Sequence, residues 1–376
     1  MINKLQYLLK EFISLPYWWI IFSFFLFLWT CQTNPPLDKE QLHNGLWGVQ
    51  ISQSKNLLDN DFLNNIMYGY NRALRLSYPI IAKLLDFSKP KQLFIFQLFL
   101  GLLFQFLIVK TCLKISKNNI IGTLLFGFIS SYYYFSNAAS GDTYGHGDTI
   151  AFVFILLAMY IDNPFMVFLF LFGAFFSNER SLLVSLPTVW IWWFLNKEKK
   201  DKIILWGSIP ASVIAYYACK YFLLNQPHFK ADLPNDIGFF YLLNSHTFFN
   251  MYVFTFGGLW IVVFYWIYKL KQIPISLLVI LFFSVSAFIV ADQTRGISFI
   301  FPLFFIAFRE VHRIGSNKEI NNILVFGAIL TLFIPNFVFF GEYTFKPSLF
   351  YHLLEKNIII PVDWIFANFF KSTLNI

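Results

Sequence analysis

The constraint that dominates this chain is its succession of long apolar runs separated by short polar turns. About eleven such runs lie near 14–30, 92–111, 119–137, 148–162, 164–178, 181–196, 202–223, 249–268, 273–291, 295–308 and 322–340. A helix needs about 20 apolar residues to cross a bilayer, with a range of about 17–25. Composition supports lipid as the solvent. Hydrophobic residues make up 57% of the 376 residues and charged residues only 13%, against roughly 25% charged in an ordinary soluble domain. The mean hydropathy is +0.60. These values exclude a soluble enzyme, a disulfide scaffold, a disordered chain and a nucleic-acid-binding domain. The expected fold class is therefore all-α: a polytopic membrane helix bundle of about eleven transmembrane helices. The runs around 148–196 and 295–308 are short, which predicts that they are tilted, re-entrant or packed inside the bundle. No small-x-small cleavage site follows the first run, so it reads as a retained anchor.

Basic residues orient the bundle. Lys4 and Lys10, then Lys110, Lys114 and Lys117, then Lys197, Lys199, Lys200 and Lys202, then Lys269 and Lys271, then Arg309, Arg313 and Lys318 all fall on one side if the runs alternate. Positive loops face the cytoplasm. The N-terminus is then cytoplasmic, the 31–91 segment is a long outer loop, and 341–376 is a short outer tail following a single 1–340 domain. The net charge of +8 reflects these loops rather than a polyanion partner. Three cysteines carry no CxxC or metal-ligand spacing.

The outer loops hold the costly polar groups. Ionisable residues at membrane depth are functional-site candidates by default. The loop at 140–149 contains Asp142, His146 and Asp148 among three glycines, and glycine allows close backbone approach to a ligand. Two further short loops contain Glu179-Arg180 and Asp292 with Arg295. The competing reading is that each pair neutralises itself locally and that Asp148 or Thr149 caps a helix. Early in the first outer loop, Asp38 and Glu40 follow a Pro35-Pro36 turn. Further along, Leu58, Phe62, Ile66, Tyr70, Leu74 and Tyr78 recur every four residues, which predicts a helix lying in the interface plane. Ile80–Leu85 extends that pattern past Pro79. No H-E-x-x-H, G-x-S-x-G or phosphate-binding P-loop occurs.

This layout resembles the GT-C class of membrane glycosyltransferases, which use polyprenyl-phosphate sugars. The features that carry it are a first helix entering from inside, a long first outer loop with an early acid and interfacial helices, and an acidic second outer loop. Many short-looped helices with outer-face arginines complete it. The resemblance covers roughly 1–340 and lies in arrangement rather than in a signature string. It implies an acid of the first outer loop as catalytic base, matched by Asp38 or Glu40, and an assisting acid of the second, matched by Asp142 or Asp148. The usual adjacent acidic pair is broken by Lys39. The chemistry is consistent: a sugar hydroxyl needs a carboxylate to take its proton, and a departing lipid phosphate needs charge stabilisation. Arg295 and Arg180, with Glu179, His146 and Asp292, are the expected substrate-binding residues. No cofactor is required, although a divalent Mg or Mn suits Asp142, His146 and Asp148. The expected partners are a lipid-linked sugar donor, a glycan or lipid acceptor and membrane lipids, in surface-polysaccharide biosynthesis at a bacterial inner membrane. Rival readings are an O-antigen polymerase or ligase, whose large loop usually comes late, and a transporter or flippase, which favours an internal repeat that is not evident here.

Overall fold

The computed structural model describes residues 7, 11–33, 46–60, 73–131, 145–195, 202–230, 252–253, 255–286, 293–334, 336–340 and 342–346. These residues form a helical bundle. In chain order the helices are α1 (Trp18–Thr33), α2 (Leu46–Lys55), α3 (Ser77–Leu84), α4 (Pro90–Ser116), α5 (Ile120–Ser130), α6 (Asp148–Tyr160) and α7 (Pro164–Ser177). Next come α8 (Leu186–Leu195), entered through a π-turn at Ser181–Ser185, and α9 (Lys202–Leu224). The set ends with α10 (Trp260–Leu270), entered through a 3-10 turn at Gly257–Leu259, then α11 (Ile275–Ser284), α12 (Gln293–Ser298), α13 (Pro302–Ile314) and α14 (Asn317–Phe333). Among the described residues one helix, α4, is long and apolar enough to cross a membrane.

Local chemistry sets the helix starts. Asn163 caps α7 by accepting from the Phe165 and Met166 amides, with Pro164 in the first helical position. Ser316 and Glu319 form a capping box on α14. The Gln92 side chain turns back to accept from the Ser88 and Lys89 amides, closing the turn into α4.

Two 13-residue helices, α6 and α13, are the most buried. Helix α6 buries nearly every residue from Asp148 to Met159, and α13 buries Pro302 to Phe308. At about 1.5 Å per residue, neither matches a roughly 30 Å hydrocarbon core. Phenylalanine fills the space between them. Phe152 meets Phe299 and Phe301 at 4.7 and 4.9 Å between ring centroids, and Phe126 stacks on Phe308 at 4.3 Å. Such pairs add about 0.5–1.5 kcal/mol each beyond area burial. Large apolar side chains remain exposed on the outside, including Phe99, Phe165, Trp190, Ile214, Phe264, Phe282 and Phe326.

Polar contacts sort into the two ends of the bundle. At one end Lys110 sits over the Trp19 ring, Lys114 donates to Tyr160 O, Lys269 pairs with Glu319, and Arg309 donates to Leu195 O. At the other, Gln50 donates to Gly145 O, Asn60 bonds Lys230, Arg75 pairs with Glu179, and Arg295 pairs with Asp148. The first group contains Lys110, Lys114, Lys269 and Arg309, four of the basic residues that orient the bundle.

One expectation is corrected at its described ends, residues 61–72 lying outside the described residues. The helix expected across 58–78 does not form at its described ends, where residues 56–60 and 73–76 are turns and extended chain flanked by α2 and α3. Asn60 is the reason. Its amide donates to His228 O, its side chain donates to Lys230 O, and its Oδ1 accepts from the Lys230 amide at 2.8 Å. Pairing with a distant segment outweighs the local apolar period. Beyond the helices the described residues include a short antiparallel hairpin, β1 (Asn336–Phe340) with β2 (Glu342–Lys346). Helix α14 stops at Phe333 with Ile334 extended, since Pro335 disfavours helix in the residue before it. The aromatic and β-branched residues beyond suit strands.

Candidate functional site

One end of the bundle gathers three arginines and two carboxylates from four separate parts of the sequence. Arg75 precedes α3, Asp148 opens α6, Glu179 and Arg180 link α7 to the π-turn, and Arg295 lies on α12. Arg75 holds Glu179 as a two-pronged pair, with Nη2 to Oε1 at 2.6 Å and Nε to Oε2 at 3.1 Å. Its Nη1 also donates to His146 O at 3.3 Å. Arg295 Nε donates to Asp148 Oδ2 at 2.6 Å, while Asn178 Nδ2 donates to Oδ1 at 2.5 Å. Asn178 then accepts from the Arg180 amide at 3.1 Å, which ties the two acids' loops together.

The backbone makes this convergence possible. Gly147 caps α6 in the left-handed region (φ 88°), and a Cβ there would stand 2.5 Å from Ser177 O. Only glycine lets the start of α6 come so near the end of α7. Gly145, also left-handed, lies against Trp47, where a Cβ would meet the indole at 2.9 Å. The π-turn after Arg180 is anchored by Ser185 Oγ donating to Phe299 O at 2.7 Å; such turns recur at functional sites.

Burial and charge act together. Asp148 is 1% exposed and Arg180 6%. Desolvation pushes the Glu179 carboxyl up, but the Arg75 charge and hydrogen bonds, with help from Arg180, bring it down to about 2. Glu179 keeps 42% side-chain exposure, so solvent screens part of that attraction. For Arg75, burial works against the charge and Glu179 outweighs it, holding the guanidinium above its ordinary value. Among the described residues the cluster carries one positive charge in excess, which suits an anion.

The residues expected from sequence fall as follows. Asp148, Glu179, Arg180, Arg295 and the His146 backbone come together here. Asp38, Glu40, Asp142 and Asp292 lie outside the described residues. Among the described residues the two acids pair across the sequence. Glu179 reaches Arg75 rather than relying on Arg180, and Arg295 is matched by Asp148 across 147 positions. Nor does Asp148 cap a helix: Gly147 is the N-cap residue, no side chain caps the start of α6, and both Asp148 oxygens accept from side chains. Arg75, Asn178 and the Trp47–Gln50 clamp were not anticipated. Arg75 could have been singled out as an arginine flanked by apolar residues in a loop facing Glu179. Among the described residues no group of three or more His, Cys, Asp or Glu side chains gathers to hold a metal.

Comparison of the chain with protein-family models, with curated proteins and with solved structures finds no match in any of the three.

Proposed function

We propose that the chain is a GT-C-like membrane glycosyltransferase, crossing the bilayer about eleven times with the charged cluster at the extracytoplasmic face. The observation that carries the reading is the convergence of Arg75, Asp148, Glu179, Arg180 and Arg295 at one end of an apolar bundle, with excess positive charge. The place of Lys114, Lys269 and Arg309 at the opposite end supports that orientation.

In this reading Arg180 and Arg295 receive the phosphate of a lipid-linked sugar, and charge-assisted hydrogen bonds stabilise it as it leaves. Asp148 and Glu179 act as positioning groups. With both oxygens engaged, Asp148 holds the Arg295 fork rather than accepting a proton, and Glu179 fixes Arg75 against the 145–147 turn. The base is a carboxylate of the outer loops, Asp38, Glu40 or Asp142. It takes the proton of an acceptor hydroxyl while that oxygen displaces the lipid phosphate, inverting the anomeric centre.

The test is a transfer assay on the full chain in lipid nanodiscs with radiolabelled polyprenyl-phosphate sugars and a panel of glycan and lipid acceptors. Label transfer with stoichiometric release of polyprenyl phosphate, lost in Arg295→Ala and in one of Asp38→Asn, Glu40→Gln or Asp142→Asn, supports the proposal. Transfer that persists in the arginine variant and all three acid variants, or no transfer with any donor, rejects it.

A further inference from the structure

A second polar site lies apart from the cluster, between α2 and α3. These two helices of the first outer loop enclose a recess of about 310 Å³. Buried Ile51 and Ala82, with half-buried Phe87, form its apolar part, and exposed Lys55, Lys83 and Asp86 stand around it. Lys89 and Lys91 follow within the next turn of chain and are also exposed. Among the described residues none of these four lysines carries an ion pair, and Asp86 is the one acid beside them.

Helix α3 has two apolar faces. Tyr78, Pro79 and Ala82 are buried against the bundle, while Ile80 and Leu84 lie outward at 38% and 77% exposure, continued by Leu85 at 51%. A leucine exposed to that degree on a short helix beside a lysine fits an interfacial helix whose apolar side enters lipid while the lysine reaches the headgroup layer. The recess is at the small end of ligand pockets, roughly 300–1,000 Å³. It accommodates a headgroup but not a whole lipid.

We infer that the recess between α2 and α3 binds the phosphodiester headgroup of an anionic membrane phospholipid, with Lys55 and Lys83 on the phosphate and the acyl chains along Ile80, Leu84 and Leu85. Charge complementarity selects the occupant: among the described residues, exposed lysines outnumber the one acid beside them, which favours an anionic lipid over a zwitterionic one. The site needs α3 at a lipid surface and is independent of any transfer reaction.

Native mass spectrometry of the full chain in neutral detergent tests this, titrating phosphatidylglycerol, phosphatidylcholine and glycerol 3-phosphate separately. Phosphatidylglycerol is expected to bind at least about tenfold more tightly than phosphatidylcholine. Lys55→Gln/Lys83→Gln should erase that preference, and Asp86→Asn should strengthen it. All three positions are exposed, so the melting temperature of each variant should match the wild type and confirm folding. Equal binding of both lipids, or a preference that survives the double substitution, overturns the assignment. Glycerol 3-phosphate binding as tightly as phosphatidylglycerol would make the ligand a soluble phosphate and overturn the lipid part. Loss of sugar transfer with intact phosphatidylglycerol preference would count against the transferase proposal alone.

Discussion

Replacing Asp148 with asparagine removes the charge that balances Arg295 while keeping the side-chain volume. Asp148 is 1% exposed, and its partner Arg295 has a side-chain exposure of 14%. The pair is joined at 2.6 Å, with Asn178 filling the other oxygen at 2.5 Å. Removing one member of a buried pair strands the other and costs about 3–5 kcal/mol. Spread over an unfolding entropy of about 2.1 cal/mol/K per residue for 376 residues, that loss lowers the melting temperature by about 4–6 °C. Differential scanning fluorimetry of the detergent-purified chain reads the shift. The double variant Asp148→Ala/Arg295→Met should lose less than the two single changes summed, because no charge is then stranded. An unchanged melting temperature in Asp148→Asn, or strict additivity in the double variant, would refute the buried pair.

Acid titration should destabilise the protein through Glu179. Its folded pKa of about 2 lies below the usual 4.5, so its contribution is complete above about pH 4.5 and is lost as pH falls from there toward 2. Glu179→Gln should flatten the stability–pH curve in that window, and an identical slope in both proteins would show that the Arg75 pair contributes nothing. Gly147→Ala places a Cβ 2.5 Å from Ser177 O at a left-handed residue; an expected loss of at least about 1–3 kcal/mol is checked by thermal melting. Gly258→Ala places a Cβ 1.9 Å from Gly327 O, which should force the Gly257–Leu259 turn away from α14 and lower the melting temperature, as small residues permit such close approach. A wild-type melting temperature in either glycine variant would contradict the packing described.

Helix placement was the most legible part of the fold, because length and apolarity act locally. Of the short runs around 148–196 and 295–308, expected to be tilted, re-entrant or packed inside, α6 and α13 are buried while α7 and α8 keep Phe165, Trp190 and Phe194 exposed. Partner choice was less legible. Glu179-Arg180 offered a neighbour pair, yet the backbone turns at Asn178 and the π-turn separate the two side chains' roles, and Arg75 arrives from 104 positions away. At the start of the 58–78 stripe, Asn60 satisfies its backbone and side chain on residues 228–230 rather than entering a helix. At the C-terminal end, Pro335 converts an apolar run into a helix end and a hairpin, a break that hydropathy alone passes over. The acid–arginine face itself was anticipated from Asp148, Glu179, Arg180 and Arg295. Its convergence depended on two left-handed glycines, Gly145 and Gly147, whose role is visible only once their neighbours are in place.

Binding of polyprenyl monophosphate to the nanodisc-embedded chain, compared with the uncharged polyprenol of the same length, tests the phosphate-handling role of the cluster most directly. The account predicts binding that requires the phosphate, is abolished by Arg180→Gln and weakens with rising salt. Equal binding of the uncharged polyprenol, or phosphate-dependent binding undiminished in Arg180→Gln, would contradict it.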